Sequence, residues 1–290
     1  MLQRRYLSRR MIECSLALAL LAGVTIPALA QTFVPPVELD RMVGRIALYP
    51  DPLLAQILSA ATYTDQIPEA AKWADHHHYL TGDPLAAAIA SDHLPWDPSV
   101  VALLPFPSVL EMMASDMSWT GQLGTAVLAQ KGDVMDAVQR MRHHAMDYGY
   151  LRSSQTVLVG AGPFITILAA RPDFYVVPVY DPAVVFVAPR PGFAVATAVS
   201  FGYGVTIGAA FHPWGWFGVH MAWDAHSWYI GDRTWGRTWA NRAAYVHPYT
   251  VARYDAARRV ETHELIERSA QEREAARLGH ERVVEQHHHK

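Results

Sequence analysis

The sequence predicts an α+β protein: an N-terminal domain of short helices, a small antiparallel β-sheet, an apolar glycine- and aromatic-rich segment, and a charged C-terminal helix. Three observations predict it. Apolar residues recur at helical spacing behind regular Asp-Pro and Pro breaks up to about residue 150. The period then shortens to β-type runs between glycine and proline turns. Beyond about residue 240 the chain becomes polar, with charges of both signs. These breaks divide the chain into a signal peptide (1–30), a linker (31–37), a helical domain (38–150), a small β-sheet region (151–190), an apolar Gly/Trp-rich segment (191–240) and a charged helical tail (241–290).

The N-terminus carries Arg4, Arg5, Arg9 and Arg10, then an apolar run from Leu16 to Ile26. That run is short for a bilayer span, which takes about 20 apolar residues. Ala28-Leu29-Ala30 supplies a small-x-small cleavage pattern before Gln31. The expectation is export, cleavage near Ala30-Gln31, and residence in the periplasm or cell envelope. Cys14 is the sole cysteine and falls inside the signal. A mature chain without it makes no disulfide, thiolate nucleophile or cysteine–zinc site.

Residues 1–30 hold four arginines and one glutamate, so removing them takes the formal charge from −3 to −6. An acidic chain is a poor general partner for nucleic acid, whose binding rests on basic surface. Hydrophobic residues make up 51% of the whole, which places the chain among globular proteins rather than disordered ones.

In the helical domain, Asp51-Pro52, Asp83-Pro84 and Asp97-Pro98 each precede an apolar run. Asp accepts bonds from the free N–H groups of a first turn, and Pro fits the first helical position. Each pair reads as a helix start, and Pro68 and Pro107 read the same way without the Asp. Leu53, Leu54, Ile57, Leu58 and Ala61 share one helical face. Two longer helices follow, 117–130 and 134–147, with Asp133 capping the second and Gly149 suited to the position after its end.

The β-type runs are 156–159 and 164–168 around a Gly160-Ala161-Gly162-Pro163 turn, then 175–180 and 184–187 around Asp181-Pro182. Pro178 inside a run marks an edge strand. Ser153-Ser154 reads as a turn. Residues 192–211 carry no charge, with Gly202, Gly204 and Gly208 among Val and Ala. Three readings are open: membrane insertion aided by Gly204-x-x-x-Gly208, a buried β-hairpin, or an exposed association patch. Trp214, Trp216 and Trp223 alongside suit an interface between apolar and wet surroundings. The reading preferred here is contact with a membrane or a partner.

The stretch Arg45-Ile46-Ala47-Leu48-Tyr49-Pro50-Asp51-Pro52-Leu53-Leu54-Ala55-Gln56-Ile57-Leu58 is distinctive. So are Trp96-Asp97-Pro98-Ser99-Val100, Asp133-Val134-Met135-Asp136-Ala137-Val138-Gln139-Arg140 and Val176-Val177-Pro178-Val179-Tyr180-Asp181-Pro182. Over roughly residues 38–225 the chain resembles a bacterial family of exported proteins named as a domain of unknown function, 3300. The resemblance implies an exported helical-plus-β region followed by a variable tail. It brings no assigned reaction and no catalytic residues. The tail here is short and helical in pattern rather than long and repetitive.

Candidate chemistry is sparse. His76-His77-His78 and His287-His288-His289 are solvated tracts in pattern. His220, Asp224 and His226 would share one face of a strand and are the candidate ligands for a divalent metal such as zinc. No Gly-x-Ser-x-Gly elbow is present. Asp51 in Tyr49-Pro50-Asp51-Pro52 is explained by helix capping. The leading expectation is a non-enzymatic protein acting by association with the envelope membrane or envelope proteins, with homo-oligomers allowed. The alternatives are an envelope-polymer hydrolase, metal-assisted through the His220 cluster, and a soluble module whose edge strand, 175–180, captures a peptide.

Overall fold

The structure is a computed structural model that describes residues 33–189 and 198–247. The expected signal peptide, the first part of the uncharged segment, the tail helix and His287–His289 lie outside the described residues.

Helix α1 (Pro36–Val43) leads into α2 (Asp51–Ala61), then a 3-10 turn and α3 (Ile67–His76), α4 (Gly82–Ser91), α5 (Pro98–Val101), α6 (Pro107–Ser115) and α7 (Met117–Asp147). Helix α2 is the centre of the molecule, because every one of its residues is buried. A helix that is apolar nearly all round has no solvent face and must be wrapped. Helices α5 and α7 pack against α2, α1 packs on α7, and α3 packs on α6. The sheets and the tryptophans of residues 215–235 close the other side of α2. Leu39, Leu53, Ile57, Leu123, Val138, Trp216, Trp228 and Trp235 all belong to one apolar core.

Prolines open helices where the sequence predicts, but the capping differs. Only Asp97 of the three Asp-Pro pairs caps its helix, accepting from the Ser99 N–H at 2.9 Å. Asp51 and Asp83 sit inside their first turns and make no cap bond. Asp51 is withheld because its carboxylate is spent on partners far along the chain. The two predicted long helices are both present and run together as α7 across a kink at Gln130, whose backbone is not helical (φ −146°, ψ 50°). There the Gln130 amide pairs with both backbone groups of Val34, at 2.9 and 3.0 Å. Asp116 caps the start of α7 through the Trp119 N–H. Gly149 takes the left-handed conformation (φ +79°) that ends it.

Among the described residues the expected antiparallel β-structure is divided among three small sheets. Strand β1 (Val157–Gly160) pairs with β2 (Thr166–Ala169), and β3 (Phe174–Tyr180) pairs with β4 (Val199–Thr206). Strands β5 (His220–Ala222), β6 (Ser227–Ile230) and β7 (Arg233–Thr234) form the third. The run expected as a strand at 184–187 instead begins with a short helix, α8 (Pro182–Val185), capped by Asp181 through the Ala183 N–H. Asp181-Pro182 therefore works as Asp97-Pro98 does, and local capping overrides β propensity.

The uncharged segment is not a membrane helix where it is described. Residues 199–206 are strand β4, and residues 209–214 form a 3-10 helix. Gly204 lies in β4, where a Cβ would fall 1.9 Å from the Phe174 ring, so it serves close strand–ring packing rather than helix contact. Among the described residues no helix is long and apolar enough to cross a membrane. Trp216 and Trp223 are buried core, not an interfacial belt, and Trp214 is half-buried.

Candidate functional site

The polar groups of α2 explain where the second half of the chain goes. Asp51, Gln56, Ser59 and Thr62 lie along α2 and its end, and residues 215–237 answer each of them. Trp223 Nε1 donates to Asp51 Oδ2 at 3.1 Å, and Gln56 Nε2 donates to the Gly215 carbonyl at 2.7 Å. Trp228 Nε1 donates to Ser59 Oγ at 2.9 Å, and Arg237 donates to Thr62 Oγ1 at 3.0 Å. A buried polar group costs stability unless it is paired, so these residues place the tryptophans as firmly as apolar packing does.

Asp51 is also the ion-pair partner of Arg142 on α7, which is wholly buried. Arg142 Nη1 reaches Asp51 Oδ1 at 2.6 Å and the Ile165 carbonyl at 2.8 Å. Its Nε donates to the Ala47 carbonyl and its Nη2 to the Tyr49 carbonyl, at 2.8 and 2.9 Å. The guanidinium lies 4.8 Å from the centre of the Trp223 ring. The Asp51 carboxylate also accepts from the Ile167 N–H at 3.3 Å. With its oxygens so engaged, Asp51 is a structural keystone rather than a general base.

A second polar cluster lies at the other end of α2. Asp97 accepts from Ser99 Oγ at 2.6 Å and pairs with His247 Nε2 at 2.7 Å. Burial opposes ionisation of Asp97, but the bonds from His247 and Ser99 outweigh it and hold the carboxyl below the usual carboxylate range. Tyr63 stacks near His247, with the Arg237 guanidinium 3.6 Å from its ring centre. Burial, and then the charge of Asp97, push the Tyr63 phenol well above its ordinary value. The carboxylate stands between Ser99 and His247. A nucleophile–base pair needs the serine on the imidazole instead.

The three predicted metal ligands do not share a strand face. Strand β5 ends at Ala222, and Asp224 and His226 fall in the turn to β6. His220 stacks flat on Tyr229 across the hairpin, with ring centres 4.9 Å apart and an interplanar angle of 2°, and its Nδ1 faces the Gly218 carbonyl. His226, at φ +46°, turns the other way and pairs with Asp136 of α7 at 2.8 Å. Even spacing requires an unbroken strand to bring residues together, and the turn breaks it. Among the described residues, no group of three or more His, Cys, Asp or Glu side chains stands where it could hold a metal ion. His76, His77 and His78 end α3, each ring Nδ1 against a backbone carbonyl three or four residues back. A carbonyl only accepts, so each Nδ1 carries the proton.

The sheets leave apolar surface outside. Leu158 and Leu168 are directly opposed across β1–β2 and are 51% and 46% exposed. The edges of this hairpin are covered. Ser153 Oγ accepts from the Val159 N–H on the β1 side, as the predicted serine turn allows. On the β2 side the Gln139 amide brackets Ile165, donating to its carbonyl at 3.0 Å and accepting from its N–H at 2.8 Å. Strand β3 is an edge strand among the described residues, as Pro178 predicts, laddered there with β4 alone. Sequence reasoning missed the Leu158–Leu168 pair, because alternation marks two faces without saying which is buried.

Comparison with known proteins adds a family but no reaction. Residues 36–274 match the model of a family described as protein of unknown function, DUF3300. The chain is 34% identical over 193 residues to the uncharacterized protein YacH of Escherichia coli (strain K12). The alignment takes in 55% of this chain and 31% of that protein, so the chain spans less than a third of the relative's length. No solved structure matches.

Proposed function

The chain belongs to the DUF3300 family of proteins of unknown function, and we propose that it is exported and works at the cell envelope by association rather than by chemistry of its own. The observation that carries this reading is the Leu158–Leu168 pair. Two leucines held side by side on an edge-covered hairpin are a ready contact for an apolar partner surface. Burying one such side chain is worth roughly 1.5–3 kcal/mol. The basic and apolar N-terminus with its Ala28-Leu29-Ala30 pattern supports export. The engaged side chains of Asp51 and Arg142 support a scaffold role for this polar centre.

The test is fractionation of cells making the precursor. The recovered chain should begin near Gln31 and sediment with envelopes in low-salt buffer. Leu158→Lys with Leu168→Lys should release it to the soluble fraction with its melting curve unchanged. A wild-type chain that stays soluble, or one still beginning at Met1, sinks the reading. A second reading, capture of an extended peptide, is favoured by β3 having one laddered neighbour among the described residues. It predicts that Val177→Pro abolishes capture while the helices stay folded.

A further inference from the structure

The sheets differ in how their edges are guarded. Both edges of β1–β2 are met by side chains, from Ser153 on one side and from Gln139 and Asp51 on the other. Strand β4 is not guarded in this way. One edge ladders with β3, and the other hydrogen-bonds no strand or loop among the described residues. An open row of N–H and C=O groups has one well-matched occupant, another extended backbone.

The composition of β4 says which backbone. Natural edges repel copies of themselves with lysine, glutamate or proline. Val199–Thr206 carries no charge and no proline, and its neighbours are uncharged from Gly192 through Phe211. Ser200, Gly202 and Thr206 are exposed. The ladder to β3 slips by one residue between Val176 and Pro178, so β4 bulges at residues 202–203. That leaves two straight runs, 199–201 and 204–206, of equal length on either side. An antiparallel two-fold axis at the bulge would set the first run of one copy against the second run of the other, as an isologous contact requires.

We propose that the outer edge of β4 is a self-association surface on which a second copy of this chain pairs its own β4 in antiparallel register. It is independent of the Leu158–Leu168 contact, so either can fail alone.

The experiment uses the purified full chain, with its mass in solution followed by light scattering across a concentration series. A dimer is expected of the wild type, and Ser200→Lys with Thr206→Lys should convert it to a monomer of unchanged circular dichroism. A cross-link gives the second measurement. Cys14 is the one native cysteine, so Gly202→Cys in a Cys14→Ala precursor introduces a single thiol. A Cβ at Gly202 meets only the Val177 carbonyl, at 3.5 Å, which is ordinary contact. Close to the two-fold axis, two such cysteines fall within disulfide range. A disulfide-linked dimer under oxidising conditions is the expected result. A monomeric wild type, an open-ended series of sizes, a dimer that survives both lysines, or failure to cross-link would each overturn the proposal.

Discussion

Asp51 and Arg142 stand 91 positions apart in the chain and meet through a 2.6 Å ion pair that water does not reach. Taking charges out of water is costly, and the geometry offsets the cost only because every remaining contact is also made. Removing one partner strands the other. Arg142→Met should destabilise the protein by about 3–5 kcal/mol in urea unfolding. Asp51→Leu added to it should cost far less than Asp51→Leu alone. If the two effects simply add, the pair is not coupled as the contacts require.

Trp223 tests the same centre from the other side. Its N–H answers Asp51 and its ring lies against Arg142. Trp223→Phe keeps an aromatic ring but deletes the donor, and leaving a charged acceptor short of a bond costs about 1–3 kcal/mol. Trp228→Phe removes the bond to Ser59 Oγ and should fall at the lower end of that range. Equal losses at the two positions would show that ring packing, not the charge on Asp51, sets the cost.

Acid should loosen the chain at Asp97. Its folded carboxyl titrates below its unfolded value, which is about 3.9. The group therefore contributes stability above that unfolded value, and the contribution is lost as pH falls through the lower, folded one. Asp97→Asn should lower stability at neutral pH and flatten the fall below about pH 4. An acid limb as steep in the variant as in the wild type would place the acid-sensitive group elsewhere.

Alkali should act through the tyrosines. Burial pushes Tyr49 up to about 12, and burial also raises Tyr180, whose hydroxyl donates to the Gly44 carbonyl at 2.8 Å. Here the folded value lies above the unfolded one, near 10. Stability is complete below about pH 10 and declines as pH rises toward 12, because the unfolded chain loses these protons first. Tyr49→Phe should flatten that decline, read as the unfolding midpoint in urea against pH.

Much of the helical region was legible because its signals are local. Proline at a helix start acts within one turn, and so does the glycine after α7, so Pro52, Pro68, Pro98, Pro107 and Gly149 sit where they were expected. What was not legible depends on distance. Nothing near Asp51 says that its carboxylate is taken by Arg142 and Trp223. Nothing near Trp216 says that its N–H will find the Ala102 carbonyl 114 positions away. His220, Asp224 and His226 do not share a strand face because the strand ends at Ala222, which even spacing alone cannot tell. The run at 184–187 is not a strand because Asp181-Pro182 caps a short helix, as Asp97-Pro98 does.

The helix glycines give a final and sharper test, since two of them, three residues apart, should respond with opposite signs. Gly124 of α7 faces α2 so closely that a Cβ would lie 2.0 Å from the Ala61 carbonyl oxygen. Backbone cannot swing aside as a flexible side chain can, so Gly124→Ala must push the two helices apart. The loss should reach or exceed the about 1–3 kcal/mol of ordinary overpacking. A Cβ on Gly121 would meet the Thr64 methyl at 3.7 Å, an ordinary contact. Gly121→Ala removes the entropy cost of a helical glycine and should stabilise by roughly 0.5–1 kcal/mol. Both substitutions carry the same propensity gain, so their difference in urea unfolding isolates the α2–α7 contact. A Gly124→Ala variant as stable as Gly121→Ala would show that the two helices do not approach as closely as described.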